Sequence, residues 1–343
     1  MTIGGIMFDR LKVVLFSEIN SKLGSPFLRV LSAHPLIKLI AVVTSPENVL
    51  CSYFVNDDTK VDIEIEAKAL GIKVLRPVRV NAPGVAGELA KLEPDYLIVA
   101  NFQQLLSSEL LAIPRIAAIN FHPAPLPCYA GLAPFFWMVR NGERQSAISV
   151  IKMDEGLDTG PIIMQRQIPL TSQETSISLR TFQEKQNVLM LLDLIPLLAT
   201  GAFTCVPQDL SKRTYYGRPQ EQDYLLDFSL DAKTLQCHIR AGYRHPGAHF
   251  FLPDGTKVVV LSATVPHGTD IGVPDFPGCI VQTAASIFIA TADGWLQLLT
   301  IDVNGVESPV TPTSIPEIFR LARQTTIGDE QALDMQDQMV ISN

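Results

Sequence analysis

The stretch that decides the fold is Ala117-Ala-Ile-Asn-Phe-His-Pro-Ala-Pro-Leu-Pro127. Its first five residues are apolar apart from Asn120, which is typical of a strand buried within a sheet. The prolines at 123, 125 and 127 fix φ along the residues that follow and remove their N–H donors. The stretch therefore predicts a buried strand that opens directly into a stiff loop.

Working outward from this strand, short apolar runs alternate with helix-length segments over the first 200 residues. Two amphipathic segments, Ile63–Leu70 and Val85–Leu92, lie between predicted strands. Such alternation predicts an α/β domain with a Rossmann-like, mostly parallel sheet and helices on both faces. The predicted strands are Lys12–Phe16, Leu39–Thr44, Ile72–Leu75, Tyr96–Ala100 and Ala117–Phe121.

The same domain continues to residue 206. Pro196 is expected to bend or end its last helix. Residues 207–224 are polar and rich in turn formers, which predicts a linker between domains. The remaining elements of residues 1–206 are a helix, Leu132–Arg140, two strands, Ala147–Met153 and Ile162–Ile168, and a long helix, Ser176–Leu198.

Beyond the linker, short strands with regular turns predict a small OB-like β-barrel domain over residues 225–312. Ser229 is the predicted N-cap of a helix that runs to Ala241. Asp254-Gly255 predicts a hairpin turn. Residues 313–343 are predicted to form a helix and an acidic tail. The predicted strands are Ala248–Leu252, Lys257–Thr264, Ile280–Gln282, Ser286–Ala290 and Trp295–Val303.

Composition excludes several classes of protein. Of the 343 residues, 47% are apolar and 18% charged, and 27 basic against 35 acidic residues give a formal net charge of −8. That balance offers no broad positive surface for nucleic-acid phosphates. The five cysteines are scattered without a Cys-x-x-Cys pair, which argues against a disulfide framework and a zinc site. Because no apolar stretch is long enough to span a bilayer, we expect a cytoplasmic protein without metal or membrane partner.

Asn120 and His122 are the first candidates for catalysis. They are two residues apart on a predicted strand, so both side chains project to the same side, at the carboxyl end where open α/β sheets bind ligands. An amide can donate to an oxyanion, and an imidazole can move protons near neutral pH. Asp158, in a turn-rich loop, can reach back and fix the imidazole tautomer. These types suit transfer of an acyl-like carbon to an amine, although each alone has an ordinary structural interpretation.

Three motifs of the first domain occur together: Asn120-x-His122 with Leu126-Pro127, Gly131-x-x-Pro134, and Asp154-x-Gly156-x-Asp158-Thr-Gly160. Together they resemble the signature of the folate-dependent formyltransferases. The resemblance extends over about residues 10–305 and includes the linker and barrel of the methionyl-tRNA and amino-sugar enzymes. The second-domain stretches that carry it are Arg213-Thr-Tyr-Tyr-Gly-Arg218, Leu226-Asp-Phe228, Ile239-Arg240-Ala and Pro246-Gly-Ala248.

This resemblance implies transfer of a formyl group from 10-formyltetrahydrofolate, the co-substrate, to a primary amine. It implies that Asn120 polarises the formyl oxygen, that His122 is the general acid–base and that Asp158 orients it and relays protons. Ala124 departs from the family, which commonly has serine there. The resemblance implies that the folate contacts Asn101, Phe102, Gln103, Leu105, Leu106, Pro127, Asp154, Glu155, Gly156 and Leu157.

The acceptor is expected to be a small-molecule amine, either a nucleotide-linked amino sugar or an amino-acid-derived metabolite. The tRNA enzymes resemble one another in a basic insertion after the second strand, whereas Thr44–Asp62 here has Lys60 as its only basic residue. Arg218 and Arg240 are candidates for binding a substrate anion. A methionyl-tRNA acceptor, hydrolysis of 10-formyltetrahydrofolate and a non-catalytic folate-binding role remain open, as does the oligomeric state.

Overall fold

In a computed structural model of the chain, the described residues are 2–3 and 6–7 (backbone only), 10–244, 246–266, 271–274, 276–283 and 286–310. The predicted helix and acidic tail at 313–343 lie outside these residues. The chain divides into two compact units. The first comprises Met1–Pro134, Gln145–Pro169 and Arg180–Tyr216, and the second comprises Phe135–Arg144, Leu170–Leu179 and the chain from Gly217 onward. Because the two are interleaved in sequence, the domain limits at 206 and 225 remain predictions.

Strands and helices alternate along the first 216 residues. The strands are β1 (Thr2–Ile3), β2 (Ile6–Met7), β3 (Leu11–Phe16), β4 (Ile37–Val43), β5 (Lys73–Leu75), β6 (Tyr96–Val99), β7 (Ala117–His122), β8 (Ala130–Gly131), β9 (Gln145–Lys152), β10 (Ile162–Pro169) and β11 (Tyr215–Tyr216). The helices are α1 (Gly24–Ala33), α2 (Ile63–Ala69), α3 (Val85–Ala90), α4 (Ser108–Leu111), α5 (Pro134–Arg140) and α6 (Ser176–Thr200).

A seven-stranded sheet in the order β10-β9-β7-β6-β3-β4-β5 forms the centre of the first unit. The five strands β7, β6, β3, β4 and β5 are mutually parallel. Strand β9 runs antiparallel to both of its neighbours, β7 and β10. Phe16 lies in a core cluster with Leu89 and Leu110 of α3 and α4, whereas Phe121 meets Phe27 of α1 edge to face. Helices thus cover both faces, which confirms the predicted mostly parallel α/β sheet.

Helix α6 does not end at Pro196 but continues to Thr200. Proline removes the hydrogen bond to the carbonyl four residues earlier, here that of Leu192. Since Pro196 lies about one turn from the end of α6, few hydrogen bonds follow the lost one. None of the helices in the described part of the chain is long and apolar enough to cross a membrane.

In its described residues, the second unit contains one further α-helix and a small antiparallel sheet in the order β12-β13-β16-β15-β14, with β17 also paired to β16. Gly255 has a φ of 81° in the turn between β12 and β13, as Asp254-Gly255 predicts, and the antiparallel β domain agrees with the predicted fold. The elements are α7 (Ala232–Gly242), β12 (Ala248–Phe251), β13 (Lys257–Thr264), β14 (Ile280–Gln282), β15 (Ile287–Ala290), β16 (Trp295–Val303) and β17 (Val306–Pro309).

The prediction that Ser229 caps α7 is wrong. Asp231 is the N-cap, and its Oδ1 accepts the N–H of Thr234 at 2.9 Å. The hydroxyl of Ser229 donates instead to Asp227 at 2.6 Å. Both serine and aspartate make good caps, so the sequence pattern alone does not choose between positions two residues apart.

Candidate active site

The carboxyl end of β7 forms the floor of the site. Val99 of β6 lies in register with Asn120 of β7, so the chain that leaves β6 emerges beside Asn120. Beyond His122, the proline loop is fixed from the sheet and from α6. Ser149 Oγ donates to the carbonyl of Ala124 at 2.7 Å, and Gln183 Nε2 donates to that of Pro123 at 2.9 Å. The loop predicted to be stiff is therefore held by side chains as well as by its prolines.

The imidazole of His122 is buried, with 5% of the residue exposed. Its Nε2 lies 2.9 Å from the carbonyl oxygen of Tyr129. Because a carbonyl can only accept, Nε2 carries the proton in neutral His122 and Nδ1 is left as the basic nitrogen. Nδ1 faces Asp158 Oδ2 at 3.7 Å. The tautomer is thus set by Tyr129 and not, as the sequence suggested, by Asp158.

The carboxylate of Asp158 lies between the two other predicted catalytic residues. Its Oδ2 accepts the N–H of Gly131 at 2.9 Å, and its Oδ1 lies 3.5 Å from Asn120 Nδ2. The side chain is only 8% exposed. The structure therefore brings Asn120, His122 and Asp158 together at one strand end, and an amide donor, a basic nitrogen and a carboxylate converge there.

Several residues around the site adopt strained backbone conformations. Asn101, Tyr129, Ala133 and Asp158 have φ between 50° and 59°, a region that costs a non-glycine residue about 1–3 kcal/mol and that concentrates at functional sites. Gly131 has a φ of 103°, and a Cβ there would lie 2.2 Å from a main-chain oxygen. The surrounding contacts must hold this geometry in place.

Residues 208–216, which the sequence predicts to be linker, supply those contacts. Gln208 Nε2 donates to the carbonyls of Asp158 at 2.9 Å and Gly160 at 2.6 Å. Strand β11 pairs in parallel with β8, and Thr214 Oγ1 accepts the N–H of Tyr129 at 2.8 Å. Nothing in the polar, turn-rich composition of this stretch signals these contacts, because they depend on main-chain groups of distant residues.

The segment predicted to bind folate leaves β6 in a turn that is fixed by polar contacts. Asn101 Nδ2 donates to Ser21 Oγ at 3.2 Å, and the N–H of Gln103 donates to the buried Glu18 carboxylate at 2.8 Å. Gln103 Nε2 reaches Cys51 Sγ at 3.1 Å. Burial raises the pKa of the Cys51 thiol to about 11, so this thiol is not a nucleophile near neutral pH.

Side chains of this segment differ in exposure. Leu106 belongs to the core with 8% exposed, and the ring of Phe102 packs edge-on against Phe16 at 5.5 Å. Leu105 is 66% exposed and is the side chain most open to a ligand. An open cavity of about 550 Å³ adjoins it, lined by Arg79, Asn81, Ala82, Pro83, Gln104 and Leu105. The sequence did not single out Arg79 or Gln104.

The loop that carries Asp158 is largely exposed, and side-chain hydrogen bonds hold its turns. Asp154 Oδ1 accepts the N–H of Gly156 at 3.1 Å and the hydroxyl of Thr159 at 2.8 Å. Glu155 is exposed, while Leu157 and the distant Pro127 are half-buried. These residues form the outer part of the predicted folate contact, and their binding roles stay predictions.

Arg218 and Arg240 both belong to the second unit. Arg240 Nη1 donates to the carbonyl of Glu174 at 2.7 Å, and Nη2 donates to Cys237 Sγ at 3.1 Å. Both terminal nitrogens of the guanidinium therefore already have a hydrogen-bond partner within the chain. Arg218 is exposed. Their contact with a substrate anion remains a prediction. Among the described residues, no three His, Cys, Asp or Glu side chains are grouped so that they could hold a metal ion.

Comparisons with known proteins point to one family. Residues 11–195 match the family described as Formyl transferase, and residues 219–308 match Formyl transferase, C-terminal domain. The methionyl-tRNA formyltransferase of Roseiflexus castenholzii is 31% identical over 288 residues, 82% of this chain and 90% of the relative. That of Roseiflexus sp. strain RS-1 is 29% identical over 315 residues, 90% of this chain and 95% of the relative.

Solved sugar formyltransferases share the fold. WlaRD, a sugar 3N-formyl transferase crystallised with dTDP and 5-N-formyl-THF, has a TM-score of 0.65 at 15% identity over 87% of this chain and 99% of its own. The N-formyltransferase of Helicobacter canadensis, in complex with folinic acid and dTDP-3-aminofucose, has a TM-score of 0.64 at 18% identity over 84% and 98%. The resemblance carried by the sequence motifs is thus confirmed, and the chain belongs to the formyl transferase family.

Proposed function

We propose that this chain transfers a formyl group from 10-formyltetrahydrofolate to the primary amine of a small molecule. The observation that carries the proposal is the convergence of Asn120, His122 Nδ1 and the Asp158 carboxylate at the carboxyl end of β7. An amide donor, a basic nitrogen and a carboxylate are what acyl transfer to an amine requires.

Each group has a defined task in that reaction. The amine nitrogen attacks the formyl carbon while Asn120 Nδ2 donates to the formyl oxygen as negative charge develops there. His122 Nδ1 takes the proton that the amine loses, because Nε2 is already committed to the carbonyl of Tyr129. The formyl C–N bond of the donor then breaks, and the proton passes to the departing nitrogen. Asp158 Oδ2 lies 3.7 Å from Nδ1, close enough to stabilise the proton there.

The residues beside the triad fit a reduced folate. The exposed Leu105 offers an apolar surface next to the chain that leaves β6, and the cavity of about 550 Å³ extends from it to Arg79. The exposed guanidinium of Arg79, in the lining of this cavity, is the group that would pair with the glutamate carboxylates of the folate. The two solved relatives above, which share this fold, were crystallised with formylated tetrahydrofolate compounds.

Three observations support a small-molecule amine as the acceptor. Exposed charges between residues 44 and 60 are Glu47, Asp58 and Lys60, so this part of the surface offers a single cation, whereas tRNA phosphates are bound by several. The net charge of the chain is −8. The stretch from Arg213 to Arg218 also resembles the amino-sugar enzymes. A nucleotide-linked amino sugar or an amino-acid-derived metabolite fits these features.

A methionyl-tRNA acceptor is the second candidate. The curated relatives at 29–31% identity are methionyl-tRNA formyltransferases and span most of this chain. Hydrolysis of 10-formyltetrahydrofolate, with water in place of the amine, would use the same three side chains. These alternatives differ in the acceptor and not in the chemistry of the triad.

Release of tetrahydrofolate from 10-formyltetrahydrofolate, followed by absorbance, separates them. The acceptors to compare are initiator methionyl-tRNA, nucleotide-linked amino sugars and ornithine-type amines, with a reaction that lacks acceptor beside them. The proposal expects release only with a small amine. Release with methionyl-tRNA alone would replace it by the second candidate, and equal release without acceptor would identify a hydrolase.

Substitution of the three residues tests their roles. Asn120→Ala, His122→Ala and Asp158→Ala should each lower kcat by about 100-fold or more. Circular dichroism and the melting temperature should remain near those of the native protein, because each side chain lies at the loop edge of the sheet. The matched control is Gln236→Ala, a polar truncation in the second unit, which should keep native turnover.

A further inference from the structure

Gln208 bridges two carbonyl groups of the loop that carries Asp158. Its Nε2 donates to the main-chain oxygen of Asp158 at 2.9 Å and to that of Gly160 at 2.6 Å. Asp158 itself has a φ of 57°, a conformation that persists only where neighbouring groups hold it. A single side-chain amide thus secures the backbone that presents the carboxylate to His122.

The oxygen and the nitrogen of the Gln208 side-chain amide cannot trade places without loss of its hydrogen bonds. Nε2 faces two carbonyl oxygens, which accept only, whereas Oε1 is buried without a hydrogen-bond partner in the described residues. Turning the amide over would set an oxygen against two oxygens. Donation to the loop is therefore the hydrogen-bonding role of this side chain.

The carboxylate of Asp158 is held from a second direction. Gly131 N donates to Asp158 Oδ2 at 2.9 Å, and Gly131 is itself fixed because β8 pairs with β11. The pairing uses main-chain groups and does not involve the Gln208 side chain. Removal of the Gln208 donors therefore loosens the loop while leaving the strand contact formed.

From this geometry we infer that Gln208 is a positioning residue for formyl transfer, which acts through the main chain of Asp158 to keep its carboxylate beside His122 Nδ1. The inference rests on the proposed function and deepens it. It places part of the catalytic apparatus in a stretch whose composition indicates only a connector.

The test combines Gln208→Met, which keeps length but removes both donors, with Asp158→Asn. Gln236→Met is the matched control, since Gln236 Nε2 also donates to a main-chain carbonyl, that of Ala263 at 3.2 Å, in the second unit. The single and double variants are compared in kcat, in the Michaelis constant for the formyl donor and in melting temperature. Gln208→Glu is a further variant, in which a carboxylate would face the two carbonyl oxygens.

Gln208→Met should lower kcat by about 10-fold or more, because small misplacements of a catalytic group cost up to about 100-fold, while the Michaelis constant for the donor changes by less than about 3-fold. In the Asp158→Asn background the same substitution should change kcat by less than about 2-fold, since the group it positions no longer functions. Gln208→Glu should lose at least as much as Gln208→Met. Gln236→Met should keep native kcat.

An effect of Gln208→Met on kcat that is equally large in the Asp158→Asn background would overturn the inference, as would a native kcat in the single variant. A second measurement is independent of catalysis and separates failure of the inference from failure of the proposed function. The Gly131 amide, followed by NMR with glycine-selective ¹⁵N labelling, should exchange with solvent faster in Gln208→Met than in Gln236→Met. Equal exchange rates would show that Gln208 does not hold the carboxylate.

Discussion

Glu184 lies in a buried group of charges on the first unit, and its ionisation should make one contribution to stability depend on pH. Its carboxylate lies 3.5 Å from Arg180 Nε, and its side chain is 15% exposed. Arg180 donates two hydrogen bonds to Asp57, which also pairs with Lys22. Burial raises the pKa of Glu184 to about 7; Arg180 and Lys22 oppose that rise, and Asp57 adds to it.

The size of the effect follows from the pKa. The ordinary value is 4.5, and one pKa unit corresponds to about 1.4 kcal/mol, so ionising Glu184 in the folded chain costs at most about 3 kcal/mol. Between pH 4.5 and 7 the unfolded chain releases this proton and the folded chain keeps it. The contribution of Glu184 to the free energy of unfolding should therefore fall as pH rises through this window and level off above it.

Replacing the carboxyl of Glu184 by an amide removes this loss of stability, because an amide does not ionise. We expect Glu184→Gln to become more stable relative to the native protein between pH 5 and pH 8, by up to about 3 kcal/mol. Urea unfolding followed by circular dichroism at both pH values measures the difference. Glu88→Gln is the control, because Glu88 is 51% exposed and pairs with Lys73 at the surface. A relative stability of Glu184→Gln that is the same at both pH values, or a change shared by Glu88→Gln, would refute the reasoning.

Four further predictions concern the site and the second unit. His122→Ala should lower kcat by about 100-fold or more, and a native kcat would show another group to be the base. Gly131→Ala should lower both the melting temperature and kcat, because its Cβ would meet a main-chain oxygen at 2.2 Å; native values of both would contradict this. Asp231→Ala should cost about 1 kcal/mol of stability as a lost N-cap, and Ser229→Ala less, with the reverse order counting against the assigned cap. Arg79→Gln should raise the Michaelis constant more for a polyglutamylated 10-formyltetrahydrofolate than for the monoglutamate, and equal changes would remove Arg79 from the folate contact.

The fold could be predicted wherever periodicity is strong. Strands β6 and β7 are buried runs of mostly apolar residues and were expected within one residue of their bounds. Two-residue strands carry no periodic signal, so the pairing of β8 with β11 could not be expected. The N-cap of α7 was misplaced by two residues because two good capping residues precede the helix. Long elements follow from the periodicity of the local sequence, whereas short elements depend on tertiary contacts.

The groups of the site also differ in how well the sequence predicts them. The candidate catalytic side chains, such as those of Asn120 and His122, can be identified in a sequence because their residue types occur together with the other motifs of the family. The main-chain groups of the site cannot be identified in this way, since every residue has them. The carbonyl that fixes the imidazole belongs to Tyr129, and the N–H that donates to the Asp158 carboxylate belongs to Gly131. Only the folded chain shows which backbone groups complete the site.

Burial decides which charges between Thr44 and Asp62 can face a partner. Counting acids in the stretch from Thr44 to Asp62 treats Asp57 as surface charge, yet its side chain is 6% exposed, and Arg180 and Lys22 hold its pKa below the ordinary value despite burial. That carboxylate presents no charge to a docking partner. Between Thr44 and Asp62 the one basic residue is Lys60, and phosphate binding requires several cations and not merely few acids. The preference for a small amine therefore rests on the scarcity of cations in this stretch, and the overall charge of −8 adds less to it than the sequence alone suggests.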